Sequence, residues 1–437
     1  GLYDDPGLTD YVVRVGESVL AESHIRRPGA DLEFSNTPFT FRVLDSPVVN
    51  AFALPGGYVY VTRGLLSHLN NEAQLAVVLG HEVGHVVARH ASQRAATQQL
   101  GMLGIIGVAI GGQAIFGGSA GENILGLGGT AAQLLFLSYS RDNERESDNL
   151  GVDYAALAHY RPNEAAAFFS SLKRLGAQQE SSIPSFLSTH PDPGEREQTI
   201  PRLSAQWEGR GATLVNQEDY YEALGSLVLG NNPRHGFVEN GVFYHPDLEF
   251  RFPVPDGYQV DNQTSQVVMI APDEKAALFF TIVDEATSAR DAATKFLAQD
   301  DIREVDSGST RVSGNPAFYA VADANLDDGS EARLLTYYIE YGGQVYLFLG
   351  FANKQAFSSY RDAFERSMRG FDRVTDRRVL NIEPTRLRIV RADRSGPFQS
   401  FLPSNLPSQF TPEGLAVLNQ VALDEHIERG QRLKLPR

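Results

Sequence analysis

Apolar residues in the first 230 positions recur mainly at the spacing of amphipathic helices. This pattern predicts helices over the stretches Asp10–Arg27, Asn71–Leu100, Ala131–Ala158, Asn163–Leu175 and Pro193–Gln206. Shorter alternating or β-branched runs predict strands, the last two joined as a hairpin, at Phe39–Leu44, Val48–Ala53 and Tyr58–Thr62. We therefore expect a mainly helical domain with a small β-sheet over residues 1–230.

The pattern changes near residue 230, where turn-forming residues precede a series of strand-like runs. Two helical stretches, Ser288–Ala298 and Lys354–Arg369, interrupt these runs, so we predict an α+β accessory domain over residues 235–375. A last block over residues 378–437 combines a short strand with one or two short helices and is predicted to be a small third module. The predicted fold class of the whole chain is α+β.

Composition and charge narrow the classes of partner. The chain has 437 residues, of which 42% are hydrophobic and 21% charged, as in ordinary globular proteins. Its 38 basic and 54 acidic residues give a net charge of −16, which argues against a nucleic-acid partner because phosphate binding needs basic surface. The apolar stretch in the Gly-rich segment 101–132 is shorter than the ~20 residues of a membrane span, so we predict no transmembrane helix. We interpret this segment as a helical hairpin, with a gating or membrane-touching flap as the alternative.

The chain contains no cysteine, which excludes disulfides, thiolate nucleophiles and cysteine-bound metal. Any metal must therefore be bound by histidine, aspartate or glutamate. The sequence begins at Gly1 and not at methionine, which is compatible with a removed signal peptide or a removed lipidated N-terminus.

The segment His81-Glu82-Val83-Gly84-His85 is an HExxH motif inside a predicted helix. Residues four positions apart share a helix face, so both imidazoles can bind one metal ion. Glu82, next to the first of them, can act as general base towards a water at the metal. The alternative is a helix with two unrelated histidines.

Two histidines leave a catalytic zinc one protein ligand short. In the next predicted helix, Glu144 and Asp148 are four residues apart and share a face. Glu144 as third ligand, with Asp148 accepting the free N–H of a bound imidazole, makes a coherent site. Glu146 is the rival ligand and points elsewhere if Glu144 points inward; a solvated acidic pair is the alternative. His90 lies nine residues beyond His81, which is the opposite face of an uninterrupted helix, so we predict no part for it.

These segments, in this order, resemble the CAAX prenyl protease, HtpX and BepA group of zinc metallopeptidases, which are gluzincins. The likeness covers about residues 5–205 and rests on the runs Asn50–Leu66, His81–His85 and Glu144–Asp148. It implies Zn²⁺ as cofactor, with the two histidines and Glu144 as ligands. Because no membrane span is predicted, the chain resembles the periplasmic BepA type, although the tetratricopeptide repeats of that type are missing. The implied location is the periplasm or cell envelope, with a lipid anchor on the removed N-terminus as one form of attachment.

The resemblance extends to the segment Ser188–Arg196, which matches the family's His-Pro…Glu-Arg sequence. It implies that His190 either steadies the transition state or closes over the zinc as a fourth ligand, whereas a plain turn is the alternative. Arg196 is expected to pair with Glu144 or Asp148 and to hold the site together, with a surface salt bridge as the alternative.

The family uses the residue at the Asn50 position near its substrate. The strand that follows Asn50 could present a free edge, to which a protein or peptide substrate binds by strand addition. A plain structural hairpin is the alternative.

The resulting prediction is a zinc endopeptidase for misfolded or envelope proteins, with Glu82 as general base. The alternative is a latched, chaperone-like or cell-wall-binding envelope factor with low proteolytic activity. Residues 235–375 weakly resemble PsbP or Mog-like modules. The block 378–437 resembles a LysM-like module, which implies contact with peptidoglycan.

Overall fold

A computed structural model describes residues 1–27, 35–91, 139–178, 186, 190, 193–263, 265–283, 286–325 and 330–437. The interpretation of the Gly-rich segment 101–132 lies outside the described residues, as do the predicted helical residues 92–100 and 131–138. The chain divides into two compact units. Unit 1 comprises the described residues of 1–101, 131–232 and 384–437, and unit 2 comprises those of Pro233–Glu383.

Unit 1 is mainly helical with one small sheet. Its helices before residue 232 are α1 (Pro6–Ala21), α2 (Arg63–His68), α3 (Glu72–Val87), α4 (Arg141–Leu157), α5 (Ala165–Gln178), α6 (Pro193–Ala205) and α7 (Gln217–Leu224), with a 3₁₀ turn at Pro162–Glu164. The first helix begins earlier than predicted, because Asp5 caps the backbone N–H of Leu8 and Pro6 occupies the first helical position.

The sheet of unit 1 contains β1 (Thr40–Leu44), β2 (Ala51–Leu54) and β3 (Tyr58–Thr62) in the order β1-β3-β2. Strand β1 runs parallel to β3, whereas β2 pairs with β3 as the antiparallel hairpin that the sequence predicts. Among the described strands β2 is therefore at an edge of this sheet.

Helix α3 carries the HExxH motif and is buried from Glu72 to His85. Asn71 caps its first turn by accepting the N–H of Gln74, as expected for asparagine at this position. The helix packs against α4 at a pair of glycines. A Cβ atom on Gly80 would lie 2.8 Å from the carbonyl oxygen of Gly151, and one on Gly151 would lie 2.7 Å from the nitrogen of His81. The two helix backbones are thus in direct contact beside the motif.

Residues 384–437 pack into unit 1, although the sequence predicts a separate module over 378–437. This part contains β15 (Leu387–Arg391), β16 (Gly396–Pro397), a 3₁₀ turn (Phe398–Phe401), α11 (Pro412–Leu418), β17 (His426–Ile427) and β18 (Arg432–Pro436), and β15 pairs with β18. Lys434 is fully buried. Its Nζ donates to the carbonyl oxygens of Ser67 and Leu69 at 2.6 and 2.8 Å, at the end of α2. A buried amine with two fixed acceptors fastens this segment to the helices around the motif.

Unit 2 is built on antiparallel strands. A seven-stranded sheet has the order β10-β11-β12-β13-β9-β8-β7 and a four-stranded sheet the order β14-β6-β5-β4. The strands are β4 (Phe237–Glu239), β5 (Val242–His245), β6 (Phe250–Pro253), β7 (Gln259–Asn262), β8 (Gln266–Ile270), β9 (Ala276–Ile282), β10 (Ile302–Val312), β11 (Asn315–Asn325), β12 (Glu331–Tyr341), β13 (Gln344–Asn353) and β14 (Asp372–Arg373). The helices are α8 (Ala289–Leu297), α9 (Arg361–Arg369) and α10 (Arg377–Leu380), with 3₁₀ turns at Pro233–His235 and Phe357–Ser359.

Successive residues of a strand point to opposite faces, so the large sheet of unit 2 supplies two apolar cores. Phe280 and Phe348 lie in one and Phe279 and Phe351 in the other. The α+β class predicted from the sequence is confirmed. Within the part of the chain that the structure describes, no helix has both the length and the apolar character that crossing a bilayer requires.

Candidate metal centre

Four buried side chains from three segments converge beside α3. His81 and His85 come from α3, Glu144 from α4, and His190 from just before α6. One donor atom from each residue lies within 4.8 Å of all the others. The structure therefore brings together all four residues that the sequence predicts as metal ligands.

The spacing of these atoms fits a tetrahedral ion. The Nε2 atoms of His81 and His85 are 2.9 Å apart, and each lies 3.5 Å from an oxygen of Glu144. His190 Nδ1 lies 3.1 Å from Glu144 Oε1 and 3.3 Å from His81 Nε2. Zinc with ligand bonds of about 2.0–2.1 Å needs ligand atoms roughly 3.3 Å apart, so the donor set and its dimensions suit Zn²⁺.

Glu82 lies fully buried beside this cluster. Among the described residues neither of its carboxylate oxygens has a hydrogen-bond partner, and Oε1 lies 3.5 Å from His190 Nε2. Burial raises the pKa of Glu82 above its usual value. Burying a carboxylate without a hydrogen-bond donor destabilises the fold, so we expect a water molecule or another polar group to donate to Glu82.

Asp148 and Arg196 form a charged layer behind the metal ligands. Asp148 Oδ1 lies 2.9 Å from His81 Nδ1, and its Oδ2 accepts from Arg196 Nε at 3.0 Å. A second nitrogen of the guanidinium pairs with Glu144. Arg196 is 2% exposed, and its cation faces the rings of Phe169 and Phe186 at 5.3 and 5.9 Å. The surface salt bridge that was the alternative reading of Arg196 is therefore wrong.

These contacts shift the pKa values of the buried groups. Burial lowers the pKa of His81, but its contacts with Asp148 and Glu144 outweigh this effect and raise the pKa to about 9. Burial would raise the pKa of Glu144, yet the charges of His190 and Arg196 hold it far below its usual range. Burial lowers the pKa of His85 well below its usual value, so this imidazole is neutral and free to bind a metal at neutral pH.

His90 lies in the site, and the prediction that it points away is wrong. Helix α3 ends at Val87, and Arg89 adopts a left-handed φ of 58°, so the helical periodicity does not extend to His90. The ring of His90 instead turns back, and its Nδ1 lies 2.9 Å from His85 Nδ1. Its Nε2 lies 3.3 Å from Glu146, so this rival ligand of the sequence analysis points away from the metal position.

His190 is held from several sides. Its backbone N–H donates to the carbonyl of Phe186 at 2.8 Å, and the two rings lie 4.8 Å apart. Its Nε2 lies 3.3 Å from the carbonyl oxygen of Ala51, the first residue of β2. The neighbouring Asn50 is buried, and its backbone N–H and carbonyl both bond the Thr62 hydroxyl, which fixes the start of β2.

Tyr139 stacks on His85 with ring centroids 3.9 Å apart, a contact that the sequence analysis missed. No spacing rule could have found it, because Tyr139 precedes α4 and reaches His85 only in the folded chain. His90 could have been found by placing the end of α3 correctly.

Comparison with known proteins finds a family similarity over the part of the chain that holds this site. Residues 17–204 match the family described as Peptidase family M48, and this range holds all the residues of the cluster. A beta-barrel assembly-enhancing protease of Yersinia pestis is 33% identical over 197 residues, which is 44% of this chain and 38% of that protein. The protein of the same name from Escherichia coli (strain K12) is 29% identical over 244 residues, 53% of this chain and 46% of that protein. The chain thus spans less than half the length of these relatives.

One solved structure illustrates a weaker likeness. The cyanobacterial PsbP protein of Synechocystis sp. PCC 6803 is similar at a TM-score of 0.26 and 14% sequence identity, over 30% of this chain and 91% of that one.

Proposed function

We propose that this chain, whose residues 17–204 form a domain of peptidase family M48, is a zinc-dependent endopeptidase. One observation carries the proposal. A cluster of three imidazoles and one carboxylate at zinc spacing lies beside Glu82, a buried carboxylate whose oxygens accept no hydrogen bond from the part of the chain that the structure describes. Structural zinc sites have no use for such a carboxylate, whereas peptide hydrolysis needs a base at that place.

Each residue of the site has a separate role in the proposed hydrolysis. Zinc bound by His81, His85 and Glu144 would polarise the scissile carbonyl and acidify a water molecule. Glu82 accepts the proton of the attacking water on a carboxylate oxygen and passes it to the leaving amine. Burial raises the pKa of Glu82 towards neutral pH, which suits a group that must both take and return a proton. Asp148 holds the ring of His81, and Arg196 holds Asp148.

The edge strand β2 is proposed to bind protein or peptide substrates by strand addition. In the sheet order β1-β3-β2 the outer side of β2 carries no further described strand. The carbonyl of Ala51, which His190 approaches, lies at the start of this edge. A chain paired along β2 would cross the metal position and be bound through its backbone, with little demand on its sequence. Asn50, directly before β2, is proposed to contact the substrate there.

A second candidate function is a latched, chaperone-like or cell-wall-binding factor with low proteolytic activity. The position of His190 favours it, because Nδ1 occupies the fourth corner next to Glu144 and His81. His190→Ala decides between the two uses of this residue. The variant cleaves faster than wild type if His190 is a latch that fills the water position, and more slowly if His190 stabilises the transition state.

The cellular setting is proposed from the relatives. Two of them are named as proteases that enhance β-barrel assembly, which supports a location in the periplasm or cell envelope and misfolded envelope proteins as substrates. A lipid anchor is one form of this proposal. We also propose that residues 378–437 contact peptidoglycan, which the pairing of β15 with β18 around α11 supports. Binding of the protein to purified peptidoglycan tests this proposal.

The deciding experiment compares wild type with Glu82→Gln. Glutamine keeps the size of the side chain and removes the base, so the variant should bind zinc as wild type does and cleave unfolded casein at least ~100-fold more slowly. Glu17→Gln on the exposed side of α1 is the matched control and should cleave like wild type. Unchanged casein cleavage by Glu82→Gln, or a wild type that binds no zinc, would overturn the proposal.

A further inference from the structure

We infer that His90 is a positioning residue for the metal site, which accepts a hydrogen bond from His85 and fixes the orientation of that ring. The inference rests on the zinc site proposed above and adds a residue to it. A relay of three side chains, His85, His90 and Glu146, then connects the metal position to the protein surface.

The backbone brings His90 to this place. Helix α3 ends at Val87, and the left-handed conformation of Arg89 reverses the chain, so that His90 packs against the helix it has just left. His90 is 2% exposed, and its ring lies 5.0 Å from that of His85. The Nδ1–Nδ1 distance of 2.9 Å is that of a direct hydrogen bond.

Metal binding fixes the direction of every hydrogen bond in the relay. His85 Nε2 faces His81 Nε2 and Glu144, so it must keep its lone pair for the metal. The proton of His85 is then on Nδ1, and only an unprotonated Nδ1 of His90 can accept it. His90 must accordingly carry its own proton on Nε2.

The next partners in the relay match this assignment. His90 Nε2 points to a carboxylate oxygen of Glu146 at 3.3 Å, which accepts the N–H. Ser147 Oγ lies 3.3 Å from His90 Nδ1 and can donate to the same lone pair. Glu146 has 60% of its side chain exposed, so the relay ends at a side chain that reaches solvent. No tautomer in the series conflicts with its neighbour.

The two proposed metal-binding histidines of α3 therefore each have a polar side-chain atom close to Nδ1. His81 has Asp148 at 2.9 Å, and His85 has His90 at 2.9 Å. Outer partners of this kind set the tautomer and the ring angle of a ligand, and their removal typically weakens metal binding about 10–100-fold. The carboxylate on one ring and the neutral imidazole on the other give His81 and His85 different basicities.

The test compares His90→Leu with His90→Asn. Leucine fills the space without an acceptor, whereas the side-chain oxygen of asparagine can stand near the position of Nδ1. Zinc affinity is measured by competition with a chelator, and thermal unfolding of the metal-free proteins is measured alongside. We expect His90→Leu to bind zinc about 10–100-fold more weakly than wild type and His90→Asn to recover most of the loss.

The matched control is His68→Leu, which removes another largely buried histidine whose Nδ1 bonds the carbonyl of Gly64, away from the metal position. It should lower the melting temperature and leave zinc affinity unchanged. His90→Leu with wild-type zinc affinity overturns the inference, as does His90→Asn with the full loss shown by leucine. A wild type that fails to bind zinc overturns the proposed function instead, so the two failures are separate in the same titration.

Discussion

Arg196→Met tests whether the buried cation behind the metal ligands holds unit 1 together. Methionine fills the space between Phe169 and Phe186 but removes the guanidinium that pairs with both Asp148, 5% exposed, and Glu144. Removing one member of a buried ion pair costs about 3–5 kcal/mol, because the remaining charge is neither solvated nor paired. We expect a loss of that size at pH 7 in the metal-free protein.

The double variant Arg196→Met with Asp148→Asn separates the ion pair from the packing. Asparagine carries no charge, so the loss should fall by about 2 kcal/mol, whereas the lost contact of Arg196 with Glu144 remains in both variants. The pH dependence has a definite sign. Although burial would raise it, Arg196 and His81 hold the pKa of Asp148 below its usual value, so the stabilisation is complete above the unfolded pKa of about 4 and disappears as pH falls below it.

Urea unfolding followed by tryptophan fluorescence measures this loss. Trp207 is the only tryptophan of the chain, it lies in unit 1, and its Nε1 donates to Asp153 at 2.9 Å. Its signal therefore reports unit 1 and not unit 2. A chelator is present throughout, because bound metal adds stability by mass action. A loss under about 1 kcal/mol, or a double variant as unstable as the single one, would refute the reasoning.

Two further changes probe the packing around the site. Burial lowers the pKa of Lys434 well below its usual value, so the unfolded state binds more protons up to about pH 10.4 and stability rises with pH. The unfolding free energy of wild type minus that of Lys434→Met should therefore grow between pH 7 and 9, by up to about 1.4 kcal/mol per pH unit; a constant difference contradicts this. Gly151→Ala places a Cβ against α3 and should destabilise unit 1 by about 1–3 kcal/mol and weaken zinc binding. In the control Gly7→Ala the added Cβ meets only Asp5 at 3.5 Å, so the stability of unit 1 should be unchanged or increased. Equal zinc affinities of Gly151→Ala and Gly7→Ala would contradict the expectation.

The ligand cluster could be predicted because it depends on local periodicity. His81 and His85 share a face of any helix, as do Glu144 and Asp148, whatever surrounds them. The same rule failed for His90, since it assumes that the helix continues. Neither glycine nor proline marks its end, and the reversal depends on a non-glycine residue, Arg89, in a left-handed conformation.

Non-local contacts account for most of what the sequence analysis missed in unit 1. Tyr139 reaches His85 across 54 positions of the chain, and Lys434 reaches Ser67 across 367. Lys434 lies between Leu433 and Leu435, which by itself gives no sign of its burial, yet packing of β18 against the end of α2 buries it completely. Pairings of this kind depend on the whole fold, and spacing within one element does not report them.

The attachment of Lys434 to Ser67 and Leu69 has a consequence for biosynthesis. Ribosomes add about 5–20 residues each second, so the 367 positions between Lys434 and Ser67 take roughly 20–70 s to translate. During this time the nascent chain contains the HExxH helix α3 but lacks strand β18, whose Lys434 bonds the end of α2. All of unit 2 is translated before β18. Unit 1 is thus completed only after unit 2 has been translated, so the proposed peptidase site gains this contact at the end of synthesis.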